Sequence, residues 1–205
     1  LHKAIEINPK YDEAIYNLGL VLQTQGSLEE SIQTYSRVIR INPNYVDAYN
    51  NLGNVLKELG EFQKAVSCYE KVIRMQPDYA DAYSNLGIAL QEQGRLEESI
   101  GAYQQAIRLR PDHADAYSNL GIVLQEQGRL EESIKAYQQA IHIQSNHVEA
   151  YNNLGMVLEE QGKLEESIKA YHQAIHFRPD YAVAYSNLGA TLRKQGRLEE
   201  AIKSY

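Results

Sequence analysis

The sequence predicts an all-α fold, an α-solenoid of antiparallel helix pairs that repeat every 34 residues. Three observations lead to this prediction: a strict internal repeat, apolar residues at helical spacing, and glycine and proline at fixed places in each repeat. Residues 80–113 and 114–147 are identical at 27 of 34 positions. A unit this short cannot bury a core alone, so roughly three or more such units must stack on one another.

The motif Asn-Leu-Gly sets the register of the repeats, because it recurs every 34 residues. Its asparagines are Asn17, Asn51, Asn85, Asn119, Asn153 and Asn187. The chain is therefore predicted to be a single array with five full repeats, at residues 12–45, 46–79, 80–113, 114–147 and 148–181. Residues 1–11 are the end of a preceding repeat, and residues 182–205 are an incomplete sixth. Leu1 and Tyr205 occupy the same repeat position inside a predicted helix, so we expect the chain to be a piece of a longer array.

The repeat at residues 80–113 shows how each helix pair is encoded. Apolar or small residues at three- and four-residue spacing between residues 82 and 90 predict a first helix, helix A. A second such stripe between residues 96 and 107 predicts helix B. Gly94 is expected to end helix A, because glycine adopts the left-handed conformation at little cost. Pro111 is expected to end helix B, because proline disfavours helical geometry in the residue before it.

Polar residues are predicted to mark the helix starts. Asn44, Asp78 and their equivalents follow the proline, where a short polar side chain can cap the next helix A. Glutamate pairs such as Glu97 and Glu98 lie in the first turn of helix B, where the helix dipole favours carboxylates. We interpret these pairs as partners of the dipole and not as acid–base catalysts.

A glycine inside helix A points to close helix packing. Gly87 and its equivalents cost roughly 1 kcal/mol relative to alanine in a helix interior. We therefore expect helix B to approach helix A at this glycine, with the ring of Tyr103 packed beside it.

These residues resemble the tetratricopeptide repeat, a 34-residue helix-turn-helix with the pattern W-x2-L-G-x2-Y, A-x3-F and P. The corresponding residues in one repeat are Tyr83, Leu86, Gly87, Leu90, Ser99, Tyr103, Ala106 and Pro111. Tyrosine replaces the tryptophan and leucine replaces the second aromatic residue. The resemblance covers the whole chain, and it implies a right-handed superhelix with the A helices lining a concave inner surface. In this family that surface holds peptide segments of partner proteins.

Two rows of residues on helix A are the candidate binding residues, because helical geometry places them on one stripe. The asparagine ladder is Asn17, Asn51, Asn85, Asn119, Asn153 and Asn187. The mainly apolar column one turn later is Leu20, Asn54, Ile88, Ile122, Met156 and Ala190. A primary amide both donates and accepts hydrogen bonds, so it suits the backbone of an extended peptide, whereas apolar neighbours suit its side chains.

The asparagine ladder is similar to that of the tetratricopeptide domain of O-linked N-acetylglucosamine transferase, where asparagines hold the backbone of protein substrates. Two structural explanations stay open beside this one. Recent duplication of the repeat would also produce six asparagines, and the apolar column would also serve to pack adjacent A helices.

The charge of the stripe changes along the chain. Its middle is acidic, with Asp81, Glu92, Asp115, Glu126, Glu149 and Glu160. The last repeat is basic, with Val183, Arg193 and Lys194 at the corresponding positions. Complementary charge on a ligand would set its direction and its encounter rate.

Composition argues against several other functions. A net charge of −7 without a cluster of Lys and Arg disfavours nucleic acid as a partner. No apolar run approaches the roughly 18 residues of a membrane span. Cys68 is the single cysteine, so it has no partner for an intrachain disulfide. This fits the reducing environment of a cytoplasmic protein, which we expect, and it equally fits a secreted protein without disulfides.

Catalytic and metal-binding patterns are absent from the sequence. It has no glycine-rich phosphate loop, nucleophile elbow or Cys-His pair, so we expect neither enzymatic activity nor a cofactor. His172 and His176 have the spacing of a two-histidine metal site, but they fall on the outer face of helix B with no third ligand in the pattern. We expect this pair to be a solvated surface feature.

The leading hypothesis is a protein-interaction scaffold that binds an extended peptide segment of a partner protein through the ladder. One alternative is a structural spacer or self-assembling array, since the exposed ends of a repeat array favour end-to-end association. A second is a substrate-recruiting arm of a larger enzyme, such as a glycosyltransferase.

Overall fold

The computed structural model describes residues 6–204, and within that range it is all-α and contains no strand. The A helices are α1 (Asp12–Thr24), α3 (Val46–Glu58), α5 (Ala80–Glu92), α7 (Ala114–Glu126), α9 (Val148–Glu160) and α11 (Ala182–Lys194). The B helices are α2 (Leu28–Ile41), α4 (Phe62–Met75), α6 (Leu96–Leu109), α8 (Leu130–Ile143), α10 (Leu164–Phe177) and α12 (Leu198–Ser204). The predictions for Leu1 and Tyr205 lie outside the described residues. Among helices α1 to α12, none is long and apolar enough to span a bilayer.

The helices end where glycine and proline were expected to end them. Gly94 has a φ of 71°, in the left-handed region that favours glycine. The amide of Arg95 donates to the carbonyl of Leu90 at 3.0 Å, which is the hydrogen bond of a Schellman cap. Helix α6 ends at Leu109, two residues before Pro111. Glycine conformation and proline geometry therefore delimit both helices of the pair.

The predicted N-caps are wrong by one residue. Helix α3 is capped by Tyr45 and not by Asn44, and no side chain bonds to the first-turn amides. The amide of Tyr45 instead donates to the carbonyl of Asn42 at 3.1 Å, which closes the turn before the helix begins. The ring of Tyr45 packs against Tyr16, with the ring centroids 5.0 Å apart. At this helix an aromatic residue that packs on α1 thus occupies the cap position in place of a polar cap.

The glycine inside helix A lies against a buried tyrosine, as predicted. A Cβ atom on Gly87 would be 2.8 Å from both Cε1 and Cζ of Tyr103, whose side chain is fully buried. The hydroxyl of Ser99 donates to the carbonyl of Gly87 at 2.7 Å, and this bond is also buried. The same bond joins Ser133 to the carbonyl of Gly121. Glycine and serine together let the two helices of a repeat approach closely.

The chain forms two compact units, which end and begin at Leu109 and Arg110. The first unit contains α1 to α6 and the second contains α7 to α12. Within each unit, every B helix packs against the A helix of its own repeat and against the next A helix of that unit. The core of the second unit is typical, since Tyr137, Leu154 and Val157 are buried together between such helices. Each repeat therefore contributes one side of the core that its neighbour completes.

Candidate protein-interaction surface

All six ladder asparagines lie on A helices, and each is half-buried. In the first unit they are Asn17, Asn51 and Asn85, and in the second they are Asn119, Asn153 and Asn187. The half-buried position keeps part of each side chain accessible to solvent. It also brings some of the amides within hydrogen-bonding distance of the preceding repeat.

Two ladder asparagines are tied to the A helix of the preceding repeat. Nδ2 of Asn51 donates to the hydroxyl of Tyr16 at 2.8 Å. In the second unit, Nδ2 of Asn187 donates to Oδ1 of Asn152 at 3.0 Å. In both pairs the acceptor is the residue directly before the preceding ladder asparagine. The helical pattern of the sequence does not indicate these bonds, because their partners lie 35 residues apart.

The amide nitrogens of Asn85 and Asn153 are not used in this way among the described residues of their units. Oδ1 of Asn85 accepts from Nζ of Lys57 at 3.1 Å, and Oδ1 of Asn153 accepts from Nδ2 of Asn152 at 3.3 Å. Neither Asn85 nor Asn153 donates a side-chain hydrogen bond to a described residue of its own unit. The side-chain amides of Asn85 and Asn153 therefore keep free donors.

The mainly apolar column is divided between packing and exposure. Ile122 is half-buried and packs against the core of the second unit. Met156 is 42% exposed, and it is the accessible apolar residue of the column in that unit. In the first unit, Oδ1 of Asn54 accepts from the hydroxyl of Tyr69 at 2.8 Å. The column thus contains residues held by packing as well as residues open to a ligand.

An open depression in the first unit brings together two of the predicted binding residues. Its volume is about 530 Å³, and Asn54 and Ile88 both line it. The other lining residues are Gln23, Lys57, Glu58, Phe62 and Glu92. Burial lowers the pKa of the Lys57 ammonium group from its usual value. The depression combines an apolar wall with amide, ammonium and carboxylate groups.

Several charges expected to act on a ligand are paired within the second unit. The carboxylate of Glu159 accepts from Nζ of Lys194, and also from the hydroxyl of Thr191 at 2.6 Å. Burial raises the pKa of Glu159, but the hydrogen bonds from Lys194 and Thr191 outweigh it, so the pKa lies below its usual value. Lys194 thus joins two repeats, which reduces the basic character predicted for the last repeat.

The acidic residues at the N-terminal ends of α7 and α9 also have partners. Oδ1 of Asp115 lies 3.3 Å from Nε2 of the buried His147. Oε1 of Glu149 pairs with Arg178 at 2.9 Å. Each contact joins the start of an A helix to the segment after the B helix of the same repeat, so part of the acidic pattern is structural.

The histidine pair is exposed on helix α10. Both His172 and His176 face solvent, as the helical pattern predicts. Between residues 6 and 204, no three His, Cys, Asp or Glu side chains are grouped as metal ligands. The pair lies on a B helix, apart from the A-helix residues of the ladder.

Solved structures share this fold. The crystal structure of MamA is 29% identical, with a TM-score of 0.74, and the match covers 80% of this chain and 96% of MamA. YrrB, described as a TPR protein with an unusual peptide-binding site, is 23% identical, with a TM-score of 0.71 and coverage of 89% and 94%. PilF of Pseudomonas aeruginosa is 19% identical, with a TM-score of 0.82 and coverage of 94% and 88%. The last two show likeness of fold alone.

A family model matches nearly the whole sequence. No curated protein sequence matches the chain. The model of the cilia and flagella-associated protein 70 C-terminal domain, a tetratricopeptide-repeat model, matches residues 11–205. The helix pairs, the glycine–tyrosine packing and the proline at the end of helix B agree with this match. The chain therefore belongs to the tetratricopeptide-repeat family of the cilia and flagella-associated protein 70 C-terminal domain.

Proposed function

We propose that this chain is a scaffold that binds an extended peptide segment of a partner protein through its ladder asparagines. Tetratricopeptide-repeat proteins are typically protein–protein interaction scaffolds, which sets the class of function. YrrB, with the same fold, is described as having a peptide-binding site. The residues that perform this role in the present chain are inferred from their own geometry.

The observation that carries the proposal is the set of half-buried ladder amides with free donors. A half-buried amide is held in place by its helix while part of it still meets solvent. The side-chain nitrogens of Asn85 and Asn153 donate to no described residue of their units. A peptide carbonyl would satisfy these donors whatever side chain the peptide carries. Recognition of this kind selects for extended backbone and not for one sequence.

The depression of the first unit supplies the complementary contact for side chains. Ile88 forms an apolar wall beside the amide of Asn54 and the ammonium group of Lys57. An extended peptide turns successive side chains to opposite faces. Alternate residues of the ligand would then enter the depression while its backbone meets the ladder. This arrangement lets side chains set specificity and the amides set orientation.

The test is a binding measurement on a variant that lacks three ladder amides, the free amides of Asn85 and Asn153 and the amide of Asn119 that lies between them in the sequence. A short fluorescein-labelled peptide, selected on the wild-type chain from a random displayed library, is titrated with the wild-type chain and with the variant Asn85→Ala, Asn119→Ala, Asn153→Ala. Each lost hydrogen bond contributes about 0.5–1.5 kcal/mol, so we expect affinity to fall by at least about tenfold. Helicity is measured by circular dichroism and should not change.

A control variant removes two asparagines that are not on A helices. Asn44 and Asn146 lie in turns between repeats and are exposed, so their replacement by alanine should leave the affinity unchanged. Equal affinity of the triple variant and the wild-type chain would contradict the proposal. So would an equal loss in the control variant.

Sedimentation separates the scaffold from the self-assembling array. A peptide-binding scaffold keeps a constant sedimentation coefficient over a concentration series without ligand. A self-assembling array grows in mass with concentration, because a head-to-tail contact that does not close produces filaments. Growth without ligand, combined with no peptide binding, would favour the array.

A further inference from the structure

The ladder asparagines differ in which of their atoms remain available. We propose that the residue directly before each ladder asparagine controls the amide donor of the next ladder asparagine. Tyr16 and Asn152 accept hydrogen bonds from Nδ2 of Asn51 and Asn187, which closes these donors to a ligand. Ser118, in contrast, leaves Nδ2 of Asn153 open to a backbone carbonyl of the ligand. This inference rests on the proposed function for its ligand, but the closing of the donors is measurable without one.

In each unit one ladder asparagine donates to the residue directly before the preceding ladder asparagine. Nδ2 of Asn51 reaches the hydroxyl of Tyr16 at 2.8 Å, and Nδ2 of Asn187 reaches Oδ1 of Asn152 at 3.0 Å. Oδ1 of Asn51 also accepts from Nδ2 of Asn50 at 3.4 Å. Asn51 therefore has both ends of its amide engaged, and it acts as a tie between neighbouring A helices.

The open donor has a short residue behind it. Ser118 occupies the position before Asn119 that Asn152 occupies before Asn153, and it is only 4% exposed. The serine side chain ends one heavy atom beyond Cβ, so it does not reach the next repeat as asparagine and tyrosine do. Nδ2 of Asn153 consequently donates to no described residue of the second unit. Whether Nδ2 of Asn153 is hydrogen-bonded within the chain or free therefore depends on whether position 118 holds serine or a longer polar residue.

The exception in the first unit coincides with a contact from a lysine. Asn85 follows a repeat with asparagine, Asn50, yet Nδ2 of Asn85 donates to no described residue of the unit, and Nζ of Lys57 instead donates to Oδ1 of Asn85 at 3.1 Å. Oδ1 of Asn50 is buried and accepts no hydrogen bond from the described residues. The position of Lys57 is glutamine in three other repeats, at Gln23, Gln91 and Gln125. In this proposal the contact with Lys57 keeps Nδ2 of Asn85 from donating to Oδ1 of Asn50.

The first test measures hydrogen exchange of the asparagine side-chain amides by NMR in the full chain without ligand. We expect the Nδ2 protons of Asn51 and Asn187 to exchange several-fold more slowly than those of Asn153. The substitution Asn152→Ser should speed the exchange of Asn187 to the rate of Asn153, whereas Ser118→Asn should slow Asn153. Equal rates for Asn153 and Asn187 in the wild-type chain would overturn the proposal.

The variant Lys57→Gln tests the exception. Without the ammonium group, Asn85 is expected to donate to Oδ1 of Asn50, so its side-chain exchange should slow. If the side-chain amide of Asn85 exchanges at an unchanged rate in this variant, the proposed role of Asn50 as its acceptor is contradicted. Lys57 lines the depression and is half-buried, so the unfolding midpoint is measured alongside the exchange rates.

The second test uses the selected fluorescein-labelled peptide. Ser118 is buried, so Ser118→Asn is expected to act on binding through the ladder asparagines beside it. It should engage the donor of Asn153, and, as Asn152 does with Asn153, it should donate to Oδ1 of the neighbouring Asn119 without engaging the Asn119 donor. We expect Ser118→Asn to lower the affinity about three- to tenfold, the loss of one hydrogen bond, and to match Asn153→Ala. Asn is accommodated at this position in Asn152, which is 3% exposed, so the variant is expected to fold.

The two readouts separate the possible failures. If Ser118→Asn slows the exchange of Asn153 but leaves the peptide affinity unchanged, the ligand contact assigned to Asn153 is wrong. If the exchange of Asn153 does not slow, the control of the donor by the preceding residue is wrong, whether or not a peptide binds.

Discussion

Replacing Gly87 by alanine isolates the contact that brings the two helices of a repeat together. The added Cβ would lie 2.8 Å from Cε1 and Cζ of Tyr103. Carbon atoms normally approach to about 3.5–4.0 Å, so the ring must move. The ring is fully buried, which leaves it little room to do so. Gly101 offers a control inside helix α6, because a Cβ there would meet nothing within 4 Å.

The two variants share one energy term and differ in the other. Each replaces a helical glycine by alanine, which stabilises a helix interior by roughly 0.5–1 kcal/mol. Gly87→Ala also overpacks the contact with Tyr103, and such insertions cost typically about 1–3 kcal/mol. The difference in unfolding free energy between Gly87→Ala and Gly101→Ala should therefore be about 1–3 kcal/mol, with Gly87→Ala less stable.

Urea unfolding followed by circular dichroism measures this difference, from the midpoint and slope of each transition. The double variant Gly87→Ala, Tyr103→Leu tests the cause, because a smaller side chain should remove part of the added cost. The reasoning is refuted if Gly87→Ala is as stable as Gly101→Ala. It is also refuted if Gly87→Ala lowers the unfolding free energy as much in the presence of Tyr103→Leu as it does in the wild-type chain.

Three further predictions concern other contacts. Ser133→Ala removes the buried hydrogen bond to the carbonyl of Gly121, so urea unfolding should show a loss of about 0.5–1.5 kcal/mol. The pKa of Glu159 is lowered in the folded state, so its pairing with Lys194 stabilises the fold above the unfolded pKa of about 4.3 and is lost as the pH falls through the lower folded value. The difference in urea midpoint between the wild-type chain and Glu159→Gln should accordingly shrink between about pH 5 and about pH 3. Burial raises the pKa of the Cys68 thiol to about 11, so iodoacetamide should alkylate it slowly near pH 8 and rapidly after unfolding in urea.

The helix pairs were predictable because their signals are local. Gly94 ends helix α5 through its own backbone conformation, and Pro111 acts on its own neighbours along the chain. The contact of Gly87 with Tyr103 was also predictable, since a repeated helical glycine is costly unless a large side chain needs the space. Signals of this kind need no knowledge of the neighbouring repeat.

The features that sequence reasoning missed depend on contacts between residues far apart in the chain. The cap position of α3 went to Tyr45 because its ring packs on Tyr16 of α1, a contact that cap preferences do not include. The bond of Asn187 to Asn152 likewise depends on how closely two A helices approach. Periodicity places a residue on a face of its helix, but it does not give the distance to the next helix.

The central claim is that the ladder amides hold the backbone of a bound peptide. Its most direct test is an NMR titration of the full chain with the selected peptide, followed through the side-chain amide signals. We expect the Nδ2 signals of Asn119 and Asn153 to shift with one common dissociation constant, while that of the exposed Gln138 on helix α8 stays fixed. Shifts confined to side chains of the B helices, with the asparagine signals unmoved at saturation, would contradict the claim.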